Sequence, residues 1–375
     1  MKYMGSKLMM LRNGLGEVLS QEMVHTHRFV DLFAGSGAVA IHVARHFTTP
    51  VLAFDLQRYS AVLTNAVVSR QRELQWEAVW DGWRCGAEAY QSTIKVPSLP
   101  RLTQAIVSEF RSWCAEQTGF PITKAYGGHY LSPWQAIWID SLRNQLPARE
   151  PARTVALAAL IQAASQCIAA PGHTAQPFQP TRTAKHFLAE AWIKDVVSRT
   201  KSALEMVAGQ FAHRGGQASV ADANEAAGQL QEGDLAFVDP PYSSVHYSRF
   251  YHVLETIANG TCGEVTGAGR YPAPALRPRS KYSVTSESAE ALDDLLDTIA
   301  SRGANAVFTF PDHKCSNGLA GDSVRKIAAR YFRIRERQVQ SKFSTLGGTS
   351  GERENEGGRS SRRHATELVL VMKPK

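Results

Sequence analysis

The sequence predicts an α/β protein whose parallel sheet is interrupted by a helical insertion. Three observations predict it. A strand, a glycine turn, a helix and a second strand follow one another from Arg28 to Asp55. A short apolar run, Leu235 to Val238, leads straight into Asp239-Pro240-Pro241-Tyr242. Between the two, from about Arg70 to Gln210, lies a stretch rich in helix formers that holds all seven tryptophans.

The chain has 375 residues, enough for an ample core. Its 43% hydrophobic and 20% charged content is that of an ordinary folded protein. The net charge of +8 suits a polyanionic partner without requiring one. Cys85, Cys114, Cys167, Cys262 and Cys315 are scattered, odd in number and never in a CxxC pair. They point to a reducing compartment and offer no metal framework. Nothing resembles a signal peptide or membrane span, so a cytoplasmic protein is expected.

The amino-terminal Lys2-Tyr3-Met4-Gly5-Ser6-Lys7 precedes a helix expected over Leu8 to Leu19. It reads either as a loop holding an anionic group, with Lys7 as the point charge, or as a solvated terminus. Arg28 to Phe33 reads as a strand, Ala34-Gly35-Ser36-Gly37 as a glycine turn and Ala38 to Phe47 as a helix. The next strand, Val51 to Phe54, ends in Asp55, 20 residues past Gly35. That layout binds a nucleoside: glycines let the backbone approach the ligand, and the acid accepts hydrogen bonds from two ribose hydroxyls. The third glycine of the dinucleotide fingerprint is missing, which favours a ligand without a pyrophosphate. A tight turn with no ligand is the alternative.

Within the middle stretch, helices are expected over Leu102 to Gln117, Pro133 to Leu146, Thr154 to Ala169 and Ala184 to Gly209. Trp134 and Trp138, one helical turn apart, read as core. In the loop from His173 to Arg182, Gln176, Gln179 and Arg182 are groups that read base edges, and Phe178 could wedge or stack. A polar, proline-rich linker would look the same.

The sheet resumes near Ala218, and Ser219-Val220-Ala221 leads into Asp222. After the next strand, Asp239, the Pro240 carbonyl and the Tyr242 ring stand at a strand's carboxyl end, where open α/β sheets bind ligands. Two prolines hold the backbone nearly rigid. Two acceptors and an aromatic face suit a planar group carrying an NH2. A Pro-Pro turn in which Asp239 only caps the following helix is the alternative. A helix from Val245 to about Ala258 brings Tyr247, Arg249 and Tyr251 near this turn. Arg270 to Lys281 and Ser344 to His364 read as basic loops over a phosphate backbone, or as solvated surface. A strand at Ala306 to Phe310, a helix at Leu319 to Tyr331 and a last strand at Glu367 to Met372 would close a seven-stranded mixed sheet with a hairpin.

Lys2 to Lys7, Phe29 to Gly37, the strand ending in Asp55, Ser219 to Asp222 and Asp239 to Tyr242 form an ordered set. In that order the chain resembles S-adenosylmethionine-dependent DNA adenine-N6 methyltransferases of the Dam-like kind. The resemblance covers roughly 1–70 and 215–375, and the insertion only by position and size. Ser6 departs from the glycine or alanine frequent there. The resemblance implies a Rossmann-like methyltransferase sheet, seven-stranded and mostly parallel with a closing antiparallel hairpin. It implies a catalytic domain of 1–70 and 215–375 and a target-recognition insertion at 71–214. The methyl donor, S-adenosyl-L-methionine, would be held by Tyr3, Lys7, Asp31, Phe33, Gly35, Ser36, Gly37, Asp55 and Asp222. Phe33 would pack near the methionine arm, Asp31 would face the amino acid end, and Asp55 would take the ribose and Asp222 the donor's adenine amine. Asp239, Pro240 and Tyr242 would hold a flipped-out target adenine. Pro241, Tyr247, Arg249, Gln176, Phe178, Gln179, Arg182, Arg277, Arg279, Lys281, Arg362 and Arg363 would contact base or duplex. No metal is implied. A bacterial or phage protein of the nucleoid, with double-stranded DNA as partner, fits; a homodimer and a cognate restriction endonuclease are compatible. A methyltransferase of RNA or protein, and an inactive DNA-binding relative, stay open. A nicotinamide-dependent oxidoreductase leaves the Asp239 turn unexplained.

Overall fold

The computed structural model describes residues 7–98, 101–344 and 362–375; side chains at 340–344 and 362–366 are not described. Its strands, in chain order, are β1 (Arg28–Asp31), β2 (Val51–Asp55), β3 (Gln217–Val220), β4 (Asp234–Val238), β5 (Val265–Thr266), β6 (Tyr271–Pro272), β7 (Asn305–Pro311), β8 (Phe332–Ser344) and β9 (Arg362–Pro374). Seven form one sheet in the order β3-β2-β1-β4-β7-β9-β8, and β5 and β6 pair alone. From β3 to β7 all pairs are parallel; β9 runs antiparallel to both β7 and β8. The expected mixed sheet with an antiparallel close is therefore present.

The strand order places the site. The chain runs outward from β1 through β2 to β3, then returns to lay β4 on the other side of β1. Ligands bind at the carboxyl edge beside such a reversal. Every residue of β4 is buried, as an apolar strand in the middle of a parallel sheet must be. The Ser288–Ser301 and Gly321–Tyr331 helices join its core through Leu292, Leu295, Leu296, Val324 and Ile327.

The chain divides into two compact units. The sheet unit holds 7–56, 212–246 and the residues from Arg279 onward. The helical unit holds Gln57–Phe211 and Tyr247–Pro278, so it draws on more than the stretch 71–214. Glu255 shows why: its carboxylate accepts both the Arg58 and the Tyr59 N–H at 3.0 Å, capping the Arg58–Val68 helix from 197 residues away. The Ala152–Cys167 helix is buried along nearly its whole length. Trp83 donates to the Leu142 carbonyl at 2.8 Å. Trp138 is buried, whereas Trp134 is 37% exposed; the two rings lie 5.9 Å apart.

Several elements differ from expectation. The amino-terminal helix breaks at Asn13 and Gly14, where Gly14 has φ of 124°, and resumes as Gly16–Glu22. The span 184–209 is two helices, Lys185–Trp192 and Val196–Ala208, because the Asp195 side chain accepts the Val197 and Ser198 N–H groups and starts the second. The helix after Asp239 likewise divides into Tyr247–Phe250 and His252–Asn259. The segment 270–281 is not a plain loop: it takes in β6 and two short 3-10 turns. Between the helix ending at Tyr331 and β9 runs a long strand, β8, where no strand was expected. Its alternation of Phe332, Ile334 and charged residues is a period-two signal of a sheet edge. Most of the Ser344 to His364 segment, 345–361, lies outside the described residues.

Candidate active site

Four acids stand at or just past the carboxyl ends of four neighbouring strands: Asp31 on β1, Asp55 on β2, Asp222 after β3 and Asp239 after β4. Parallel strands in register make this automatic, because each ends at the same edge. The glycine turn lies between β1 and the Ala38–His46 helix. Gly35 and Gly37 have φ of 54° and 75°, left-handed values that favour glycine. Gly35 donates its N–H to Asp55 Oδ2 at 2.8 Å, and Gly37 caps the helix. Ser36 is half-exposed in the turn.

Asp31 is buried, and its Oδ1 accepts the Phe33 N–H at 3.2 Å. Burial pushes its carboxyl up to about 8; backbone donors at Phe33 and Ala40 oppose this, and the nearby Asp239 and Asp55 charges add to the rise. Asp222 caps a short helix, its Oδ1 accepting the Asn224 N–H at 2.9 Å. Phe33 meets Tyr282 edge-on at 5.1 Å, and the Tyr282 hydroxyl donates to Asn224 Oδ1 at 2.7 Å. A chain of contacts thus runs from the glycine turn to Asp222. The set of three carboxylates around a side-chain-free turn fits a small ligand that is cationic and rich in hydroxyl and amine donors.

Asp239 is held differently. Its Oδ1 is paired with the Lys7 ammonium at 2.9 Å and accepts the Thr309 hydroxyl at 2.8 Å. Lys7 is also paired with Glu367 Oε2 at 2.8 Å. Burial alone would lower the Lys7 pKa, but the two carboxylates together hold it above the ordinary lysine range. Burial also raises the Asp239 carboxyl; Lys7 opposes this and Glu367 reinforces it. Both donors fall on one oxygen. Among the described residues neither Asp239 Oδ2 nor the Pro240 carbonyl receives a hydrogen bond. Asn317, fully buried, donates its amide to the Pro241 carbonyl and to the Tyr282 carbonyl, both at 3.0 Å, and so pins the turn. Tyr242 is half-buried against the sheet core.

In the helical unit, Arg249 and Arg277 lie over the Tyr271 ring, at 4.7 and 5.6 Å from its centroid. Tyr247 packs edge-on to Phe250 at 5.9 Å. Phe178 stacks on Phe187 and packs against a small apolar cluster, and Gln179 accepts from Arg111 at 3.0 Å. Gln176 and Arg182 are exposed. In the sheet unit, Arg279 pairs with Glu287 and Lys281 is exposed. Arg362 and Arg363 open β9 opposite Ser344 and Phe343; their side chains, and all of Tyr3, lie outside the described residues.

Sequence reasoning missed Glu367, Thr309, Asn317 and Tyr282. Glu367 had a faint signal, an acid opening an apolar strand, and Asn317 sat in an Asn-Gly pair that marks a turn. Among the described residues no group of three His, Cys, Asp or Glu side chains could hold a metal ion, and no helix is long and apolar enough to cross a membrane.

Comparison with known proteins supplies the context. Modification methylase LlaI of Lactococcus lactis subsp. lactis is 24% identical over 310 residues, 80% of this chain but 44% of that protein, so the chain spans less than half its length. Type II methyltransferase M.NlaIII of Neisseria lactamica is 25% identical over 349 residues, 88% of each chain. The family model for the D12 class of N6 adenine-specific DNA methyltransferases matches residues 3–301, from the amino-terminal lysine motif through the Asp239 turn to the helix that follows it. On that match the chain belongs to the D12 class of N6 adenine-specific DNA methyltransferases.

Proposed function

We propose that the chain moves a methyl group from S-adenosyl-L-methionine to the N6 amine of an adenine flipped out of double-stranded DNA. One observation carries the assignment of the base site. Two adjacent acceptors on a backbone stiffened by prolines, Asp239 Oδ2 and the Pro240 carbonyl, are unengaged by the described residues. An exocyclic amine has two hydrogens to give them.

Bound S-adenosyl-L-methionine supplies an electrophilic methyl group on a sulfonium. The carboxylates would supply what such a donor needs: Asp31 would hold its amino acid end, Asp55 its ribose and Asp222 its adenine amine. Phe33 and the 35–37 turn would pack around it, with Lys7 near the same edge of the sheet. Asp239 and the Pro240 carbonyl draw the target amine's hydrogens toward themselves. That favours a pyramidal nitrogen whose lone pair is no longer spread into the ring. Holding nitrogen and methyl in line supplies several kcal/mol of the barrier, up to roughly 7–11 in the best cases. Tyr242 stacks on the extruded base, whose unstacking costs about a few kcal/mol. Arg249, Arg277 and Lys281 meet phosphates, and Gln176 and Arg182 are the exposed groups of their loop able to reach bases.

We extend the reading to a modification enzyme acting in the cytoplasm, with a cognate restriction endonuclease as its partner; the names of both relatives suggest that role. The test is labelled methyl incorporation into duplex DNA. Asp239→Ala should abolish it while donor binding persists. Wild-type turnover by that variant would remove Asp239 from the base site.

A further inference from the structure

We propose that Glu367 is a positioning residue for methyl transfer: by sharing the Lys7 ammonium it leaves Asp239 with one strongly accepting oxygen for the substrate amine. This rests on the assignment of Asp239 to the base site.

The geometry of four side chains supports it. Lys7 Nζ lies 2.8 Å from Glu367 Oε2 and 2.9 Å from Asp239 Oδ1, with Lys7 and Glu367 both buried. Thr309 adds a second donor to that same Asp239 oxygen. A simple buried pair of Lys7 with Asp239 would already be neutral. A third buried charge adds a desolvation cost that the fold does not require, because an ion pair needs only one partner of each sign. What the third charge changes is Asp239. Paired with Lys7 alone, the carboxylate would surrender much of its charge to one ammonium. With Glu367 on the other side, the ammonium's pull is divided between two carboxylates.

That division has a use in the reaction. The amine nitrogen's lone pair becomes the new N–C bond, the C–S bonding pair returns to sulfur, and one amine proton must leave. Asp239 Oδ2 is the acceptor at hand. A carboxylate strengthened by a neighbouring anion takes that proton more readily than one neutralised by lysine. Among the described residues the titratable groups that face Asp239 are Lys7, Glu367 and Asp31. Of these only Glu367 also binds Lys7.

Glu367→Gln keeps the length and an acceptor for Lys7 while removing the charge. Single-turnover methyl transfer to duplex DNA, at saturating donor and over a range of pH, is the measurement. The rate should fall roughly 10-fold or more, with the KM for the donor unchanged. The acidic limb of the rate profile should move to lower pH, because Asp239 loses a negative neighbour. Glu367→Asp should return the limb toward its wild-type position. A wild-type rate and limb in Glu367→Gln overturn the proposal. So does a loss of rate at every pH with an unmoved limb and a lowered melting temperature, which would make Glu367 a support of the fold only. Asp239→Ala, run in parallel, separates the two claims. If it stays active, the base-site assignment fails and takes this one with it; if it is inactive while Glu367→Gln matches wild type, only the role of Glu367 fails.

Discussion

Asp140 in the helical unit and Asp239 in the sheet unit are both acids whose carboxyls burial pushes up, Asp140 to about 7. Their donors are arranged in opposite ways. Asp140 spreads three across both oxygens: the Ile122 N–H on Oδ1 at 3.0 Å, and the Thr123 N–H and hydroxyl on Oδ2, both at 2.7 Å. It closes the start of the Pro121–Tyr126 helix and has nothing left to offer. Asp239 concentrates both of its donors on Oδ1. Burial and a raised carboxyl are common to the two, so neither identifies a reacting group. The distribution of donors is what sets the two acids apart.

The largest expected effect tests that contrast directly. Asp239→Ala should lower methyl transfer by a thousandfold or more, roughly the upper range for a lost proton acceptor, yet melt much like wild type because Glu367 still pairs with Lys7. Asp140→Ala should do the reverse. It strips three buried donors at about 1–3 kcal/mol each, so denaturant unfolding should show a loss of about 3 kcal/mol or more, while the protein that remains folded binds donor normally. Equal stability losses in the two variants would erase the distinction.

Asp31 is the intermediate case, buried with backbone donors only, at Phe33 and Ala40. Its folded carboxyl titrates near about 8, against 3.8 ordinarily. The native state therefore holds a proton that the unfolded chain has released. Whatever stability this gives is complete below the ordinary carboxylate range and is lost as pH rises through about 8. Asp31→Asn should melt above wild type in alkaline solution without donor, by about 1–3 kcal/mol, with the gap closing toward acid. In wild type the donor should bind more tightly as pH rises through that range, a trend that calorimetry would find flattened in Asp31→Asn.

A smaller effect is expected at the two arginines over the Tyr271 ring. Arg249→Ala and Arg277→Ala should each weaken binding to any duplex and reduce the salt dependence of DNA affinity by about one unit of slope. A change at a single base position instead would make either arginine a reader of sequence.

The sheet unit was legible because its signals are local. A glycine turn, a four-residue apolar run and a Pro-Pro turn each state a backbone requirement within a few residues. Lys7, Asp31, Asp55 and Asp239 came with them. Their partners did not, because those contacts are made across the fold: Glu367 is 360 residues from Lys7, and Thr309 is 70 from Asp239. The extent of the helical unit was hidden for the same reason, since Glu255 caps a helix 197 residues earlier. The break at Asp195 was readable, as an acid that starts a helix, but the surrounding helix formers masked it. Phe178 and Gln179 show how little residue type alone decides in a loop: the one stacks on Phe187 and the other binds Arg111.

Strand β9 lies between β7 and β8, and it carries Glu367 to Lys7. During synthesis the turn at Asp239 leaves the ribosome long before that strand does. Lys7 can meet Asp239 by then, but its second partner lies 360 residues downstream. Contacts so distant in sequence form late. A chain still short of β9 has Asp239 for Lys7 but not yet the second carboxylate.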